Sequence, residues 1–210
     1  MGDLYLDSSV FFSYVGPARL EPYHSQGVSC FDSPTNRRFS AVSVKAEVEN
    51  RVRTRERLYS AILSHIQTGG RLRDFPAETY SRHDANRARE LLRQLRGNDA
   101  DLEYMRLLII DLRARIRAAF QRLETPLIAR SGDVYFEDQL RLLAGLQRGD
   151  AGVASDYLHW AAERGSPAAF LSGDAELVTG LTRLPRDFLE QKFGNGYRNF
   201  SFENLREYRS

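Results

Sequence analysis

The N-terminal stretch that decides the fold reads LYLDSSVFF over residues 4–12. Its first three apolar residues predict a short buried strand that ends at Asp7. The small polar residues Ser8 and Ser9 then predict a turn or a helix start before the apolar residues resume. We therefore expect a strand followed directly by a helix, with an acidic side chain at the junction.

A second stretch of this kind lies near the other end of the chain. Residues 168–171 read AAFL and predict a short buried strand, Asp174 follows it after Ser172 and Gly173, and a helical pattern resumes over residues 175–178. Strands followed by helices favour an α/β fold with a parallel sheet.

Long helical patterns fill most of the chain between these two stretches. Apolar residues recur at helical spacing, and glycines or a proline end several of the patterns. Residues 16–38 hold several Gly and Pro residues and predict a loop. The predicted helices cover about residues 43–67, 84–96, 99–124, 136–147 and 155–162.

Composition excludes several classes of protein. The 210 residues include one Cys and four His that lie far apart, so neither a disulfide scaffold nor a structural zinc site is expected. No apolar run is long enough to span a membrane, and the N-terminus lacks the basic start of a secretory signal. These features favour a reducing, cytoplasmic setting.

The basic residues are almost all arginine. Lys45 and Lys192 are the two lysines among 30 Lys and Arg residues, against 28 Asp and Glu. Arginine binds phosphate bidentately, which favours a nucleic-acid partner. A GC-rich genome, whose codons favour arginine, explains the same excess, so composition alone leaves both explanations open.

Four acidic residues occupy comparable places in this layout: Asp7, Glu47, Asp156 and Asp174. Two follow predicted strands, and Asp156 is expected to open the helix after Ala154. Ligands of open α/β sheets bind outside the carboxyl ends of the strands, so these residues can converge there. Taken singly, the aspartates also suit helix caps or first-turn positions. Glu47 borders the buried stripe of its helix and needs an arginine or a cation as partner.

Together, four segments in order resemble the motifs of the PIN-domain nuclease family. These are the start at residues 5–11, then SVKAEV at 43–48, DYLHWA at 156–161 and FLSGD at 170–174. In that family the segments supply, respectively, an Asp after a strand, an inward Glu, an Asp-x-x-His-x-Ala helix and a Ser/Thr-x-Asp turn.

The resemblance implies a single PIN-like domain over residues 1–210. Its fold would be three-layered, with a short central parallel sheet flanked by helices. Glu47 and Asp156 are 109 positions apart, about twice what the compact toxin members need. We therefore expect residues 71–148 to form an enlarged helical segment, or helical insertion.

The same resemblance implies a ribonuclease that depends on Mg²⁺ or Mn²⁺. Two such ions can activate water and neutralise the leaving oxygen of a phosphodiester, and they prefer oxygen ligands. RNA would be the substrate, an antitoxin protein and a second copy of the chain are possible partners, and no membrane is involved. The metal ligands and catalytic residues would be Asp7, Glu47, Asp156 and Asp174, supported through hydrogen bonds by Ser9 and Ser172.

Other interpretations of the sequence stay open. A DNA nuclease has the same signature, whereas a phosphatase with an aspartyl nucleophile needs a second Asp where Ser9 stands. A non-catalytic nucleic-acid-binding or protein-interaction module is the main alternative, for example one that exposes the apolar face of the 99–124 helix. Arg51 and Arg55 follow Glu47 and could contact phosphates, although their even spacing also fits a solvated surface.

Overall fold

A small parallel sheet organises the chain. The computed structural model describes residues 2–208, with only the backbone of His83. Four strands pair in the order β2-β1-β3-β4, and all three pairings are parallel. The predicted α/β class with a parallel sheet is confirmed. The strands are β1 (Asp3–Leu6), β2 (Arg37–Phe39), β3 (Ala168–Ser172) and β4 (Phe200–Asn204).

Helices make up most of the remaining chain. No helix among the described residues is both long and apolar enough to cross a membrane. The α-helices are α1 (Ser8–Val15), α2 (His24–Asp32), α3 (Val42–Gln67), α4 (Arg82–Gln94), α5 (Asp99–Gln121), α6 (Val134–Ala144), α7 (Arg148–Glu163), α8 (Ala175–Thr182) and α9 (Arg186–Phe193).

Aromatic side chains hold α7 against one face of the sheet. Tyr5 is in register with Phe170, and Phe170 is in register with Phe202. Residues paired in register across a sheet point to the same face, so these rings form a row. Tyr157 of α7 packs on all three, with ring centroids 5.3 to 5.9 Å apart. The apolar strands predicted from the sequence are buried in this way.

The helices of residues 71–148 divide between two groups. Helices α4 and α5 pack on α3, and α5 also packs on α1, where the rings of Phe11 and Phe120 stack at 4.6 Å. Helix α6 instead packs on α7 and α8. Residues 71–148 therefore contain three long helices, as predicted, that contribute to two different packing layers.

Two sequence expectations about element boundaries are wrong. Residues 16–38 contain α2 and β2 rather than a continuous loop. Helix α2 is held close to α1 at Gly27, where a Cβ would lie 2.7 Å from the carbonyl carbon of Ser13. Gly27 therefore permits helix packing here, although glycine in a sequence usually indicates a loop.

The second error concerns the start of α7. This helix begins at Arg148, seven residues before the predicted start, so Asp156 lies in its middle. The preceding helix ends at Gly145, which adopts the left-handed conformation with φ of 69°. Gly149 and Gly152 then lie inside α7, where they resemble loop residues in the sequence alone.

Candidate functional site

The carboxyl ends of β1 and β3 meet at the point where the strand order reverses. From β1 the chain passes to β2 on one side, then crosses back to β3 on the other. The amide of Asp7 donates a hydrogen bond of 3.1 Å to the carbonyl of Leu171, which joins the two strand ends. Such a switch point is where open α/β sheets bind ligands.

Asp7 forms the buried floor of this site. It caps α1, and its Oδ2 accepts hydrogen bonds of 2.8 Å from the hydroxyls of both Ser9 and Ser172. Its Oδ1 accepts no hydrogen bond from the described part of the chain. The two serines named from the sequence therefore fix the orientation of the Asp7 carboxylate.

Asp174 lies at the exposed rim, and the turn that carries it is bonded to the same serines. Its Oδ1 caps α8 by accepting from the amides of Glu176 and Leu177 at 2.9 and 3.1 Å. Its own amide donates to Ser172 Oγ at 3.0 Å, and the amide of Gly173 donates to Ser9 Oγ at 2.8 Å. The turn after β3 is thereby locked to the start of α1.

Glu47 approaches Asp7 from α3. Its carboxylate is half-buried and forms an ion pair with Arg51, with Oε1 and Nη2 2.6 Å apart. Burial raises the pKa of Glu47, Arg51 opposes that rise, and the negative charge of Asp7 adds to it. Glu47 therefore has the arginine partner that its position on the helix required, and it also experiences Asp7 as a like-charged neighbour.

Asp150, which the sequence reasoning missed, completes the group. It lies in the first turn of α7, and burial raises its pKa to about 6, with further rises from the charges of Asp7, Asp174 and Glu47. Asp150 and the three acids whose charges act on it are together called the acidic cleft: Asp7, Glu47, Asp150 and Asp174. The signal available in the sequence was an acid just after Gly149, which suits the first turn of a helix.

Asp156, the remaining acid predicted for the site, is bonded inside the protein. It is buried, and both of its oxygens accept hydrogen bonds, Oδ2 from Ser43 Oγ at 2.5 Å and Oδ1 from the amide of Ser131 at 2.7 Å. It lies six residues after Asp150, and six helical steps turn the side chain about 120° away from the direction of Asp150. The structure therefore uses Asp156 to tie α7 to the start of α3 and to the loop before α6.

The two arginines expected to contact nucleic acid also differ. Arg51 is half-exposed and borders the acidic cleft. Arg55 is buried, pairs with Glu21 at 3.0 Å, and stacks over Phe12 with its Cζ 4.0 Å from the ring centroid. Packing and an internal ion pair hold Arg55 in place, although it lines the same surface groove as Arg51 and Asp174. Its contact with phosphates stays a prediction.

A groove of about 690 Å³ opens beside the acidic cleft. Its lining includes Ser9, Gly173 and Asp174, together with Ser81 and Asp84 from the start of α4. A groove of this volume is within the range of small-ligand sites. Helix α4, from the predicted enlarged segment, therefore shapes the approach to Asp174 and Ser9.

The donor set suits a hydrated divalent cation. No three His, Cys, Asp or Glu side chains within residues 2–208 lie close enough to ligate one ion together. Mg²⁺ usually keeps several waters and binds through one or two carboxylates, so it does not need such a group. Asp7 and Asp174 each use one oxygen as a helix cap, and the four acids carry more negative charge than Arg51 offsets.

Comparison with known proteins finds no relative of the chain. No family model matches the chain, and neither a curated protein nor a solved structure does.

Proposed function

We propose that the chain is a metal-dependent nuclease whose active centre is the acidic cleft. The observation that carries this proposal is the convergence of four carboxylates at the switch point of the parallel sheet. Their mutual repulsion helps to raise the pKa of Asp150 to about 6. An acid as strongly perturbed as Asp150, beside other acids, favours a functional site over a structural one.

The resemblance to PIN-domain nucleases supports the same proposal. Three of the four acids that the motifs single out, Asp7, Glu47 and Asp174, belong to the acidic cleft. We assign the fourth position to Asp150 rather than Asp156, because both oxygens of Asp156 are already hydrogen-bonded inside the protein. A PIN-like arrangement of the sheet and helices is part of this proposal.

The residues of the cleft have separable tasks. Mg²⁺ or Mn²⁺ would supply a water activated for attack on a phosphodiester and would neutralise the leaving oxygen. Asp7, held by Ser9 and Ser172, presents its Oδ1 in a fixed direction. Each ion would be held by one or two carboxylates together with water, with Glu47 available from α3, Asp150 from α7 and Asp174 at the rim. The groove between α4 and α8 receives the chain that is cut.

RNA is the substrate class that the resemblance favours. An antitoxin partner, a homodimer, and a DNA substrate stay predictions to be tested separately. The main rival is a protein that binds nucleic acid through this cleft and does not cut it. A cleavage assay separates these possibilities.

The experiment compares the unmodified chain with Asp7→Asn on structured RNA, single-stranded RNA and single-stranded DNA. Each reaction contains Mg²⁺, Mn²⁺ or EDTA. Asparagine can still cap α1, so the variant removes the charge of Asp7 and keeps the fold. Asp138→Asn is the matched control, because Asp138 is an exposed acid that pairs with Arg141 on α6.

We expect RNA cleavage that EDTA abolishes, that Asp7→Asn loses and that Asp138→Asn retains. Equal cleavage by the unmodified chain and Asp7→Asn contradicts the proposed site. Binding of RNA with no cleavage under any condition supports the rival instead.

A further inference from the structure

Among the described residues, Arg51 is a half-exposed arginine that adjoins both Glu47 and the groove. It contacts Glu47 one helical turn away, with Nη2 and Oε1 2.6 Å apart, and it lines the groove together with Ser9 and Asp174. Its positive charge also opposes the rise in the pKa of Asp150, so its field reaches α7. Arg51 is therefore the ion-pair partner of Glu47, and its charge also acts on Asp150 at longer range.

The attachment of Arg51 is weak compared with that of its neighbour Arg55. Within residues 2–208, Glu47 is the one acid at salt-bridge distance from Arg51. Exposed pairs four residues apart on a helix contribute little to stability. Arg55 is instead enclosed, with Glu21 as its ion-pair partner and Phe12 beneath its guanidinium. Arg51 can therefore leave its partner without disturbing the core.

Building on the proposed function, we propose that a divalent cation displaces Arg51 from Glu47, and that the freed guanidinium then binds a phosphate of the nucleic acid in the groove. Both cations compete for the same carboxylate, and the divalent ion carries twice the charge. A guanidinium released beside the groove matches phosphate with two parallel hydrogen bonds. Arg51 would thus be a substrate-positioning residue whose availability depends on the metal.

Two binding measurements on the intact chain test this role without relying on cleavage. The first titrates Mn²⁺ alone, with free ion followed by electron paramagnetic resonance. The second titrates a single-stranded 2′-O-methyl RNA, which resists cleavage, with and without Mn²⁺. Arg51→Gln removes the charge, and Arg53→Gln is the matched control because Arg53 is an exposed arginine on the same helix.

Arg51→Gln is expected to bind Mn²⁺ about 3- to 10-fold more tightly than the unmodified chain, because a competing cation is gone. With Mn²⁺ present it should bind the RNA about 10-fold more weakly, and without Mn²⁺ it should bind the RNA as the unmodified chain does. Arg51→Lys, which keeps the charge, should restore the Mn²⁺ affinity. Arg53→Gln should change Mn²⁺ affinity by less than about twofold.

Unchanged or weaker Mn²⁺ binding by Arg51→Gln overturns the inference, and so does an RNA defect that is the same with and without Mn²⁺. Equal effects of Arg51→Gln and Arg53→Gln overturn it as well, because they would reflect net charge alone. Failure of the unmodified chain to bind Mn²⁺ overturns the proposed function together with this inference. The two failures are therefore distinguishable.

Discussion

Two groups of charged residues adjoin α3 and are built in opposite ways. In the acidic cleft, the half-exposed Arg51 pairs with Glu47, while the charges of Asp7, Asp174 and Glu47 all act on Asp150. In the second group, which we call the buried ion network, the single carboxylate of Glu21 lies between the guanidinium groups of Arg55 and Arg87. All three of its side chains are at most 8% exposed.

The difference between the two groups lies in how their charges are compensated. Glu21 accepts hydrogen bonds from Arg55 at 3.0 Å and from Arg87 at 2.7 and 3.2 Å, which joins the segment between α1 and α2 to α3 and α4. In the acidic cleft, like charges face one another and partly contact solvent. Compensated groups stabilise a fold once it is formed, whereas uncompensated groups persist where a function requires them.

The largest expected effect comes from breaking the buried ion network. Glu21→Gln leaves two buried arginines close together without their shared anion, and removing one partner of a buried ion pair costs about 3–5 kcal/mol. Burial and the charge of Arg87 already lower the pKa of Arg55 to about 10, so its charged form is less stable here than in water. Urea unfolding followed by Trp160 fluorescence measures the loss.

Glu49→Gln is the matched control, because Glu49 is an exposed acid of α3 whose distance to Lys45 is 3.9 Å. It should change the free energy of unfolding by less than about 0.5 kcal/mol. Similar losses for the two variants would show that the buried ion network is not a structural anchor.

The next effect concerns catalysis in the acidic cleft. Asp150→Asn should lower the rate of metal-dependent RNA cleavage by about 10²- to 10³-fold, which corresponds to about 3–4 kcal/mol of barrier. The reason is that α7 would no longer supply a charged oxygen to the cation. Single-turnover cleavage at saturating Mn²⁺ measures this rate. Cleavage that persists at the unmodified rate would remove Asp150 from the proposed site.

Asp156→Asn sharpens the comparison within α7. Its Oδ1 can still accept from the Ser131 amide, and its amide nitrogen can donate to Ser43 Oγ, so both hydrogen bonds have replacements. We expect cleavage within about threefold of the unmodified rate and a stability loss of about 1 kcal/mol, since bonds to a charged group are stronger than neutral ones. A loss of cleavage as large as that of Asp150→Asn, in a folded protein, would return Asp156 to the metal site.

The parts of the fold that local signals specify were predicted from the sequence. An apolar run followed by a capping residue identified β1 with Asp7 and β3 with Asp174. The apolar stripe of α3 identified Glu47 as a residue beside the core. Because parallel strands end at one edge of their sheet, these local signals were enough to predict that the acids lie near one another.

The remaining parts depend on contacts between distant segments. β2 (Arg37–Phe39) is held in the sheet by its pairing with β1 and by the hydrogen bond that Arg37 donates to Asp3. The start of α7 depends on Gly145, whose left-handed backbone ends α6, and on two glycines that lie within the helix. The predicted helix starts seven residues too late, so it places Asp156 in its first turn and leaves Asp150 outside it.

The smallest expected effect tests whether the acidic cleft costs stability. The pKa of Asp150 is raised to about 6, so between about pH 4 and 6 the folded chain keeps a proton that the unfolded chain releases. The stability from the protonated group is therefore complete below about pH 4 and is lost as the pH rises through 6. At pH 7.5 the free energy of unfolding of Asp150→Asn should exceed that of the unmodified chain by about 1 kcal/mol, after allowance for solvent screening of a half-exposed group. At pH 4 the two free energies should be equal.

Urea unfolding in EDTA at pH 4, 6 and 7.5 measures this dependence, with Asp138→Asn as the control. Asp138 is exposed and lies outside the acidic cleft, so its removal should not alter the slope between pH 4 and 6. An Asp150→Asn variant that is less stable than the unmodified chain at pH 7.5 would mean that Asp150 is compensated in the same way as Glu21. The contrast between the two charged groups would then disappear, and with it the main physical reason to place the active centre in the cleft.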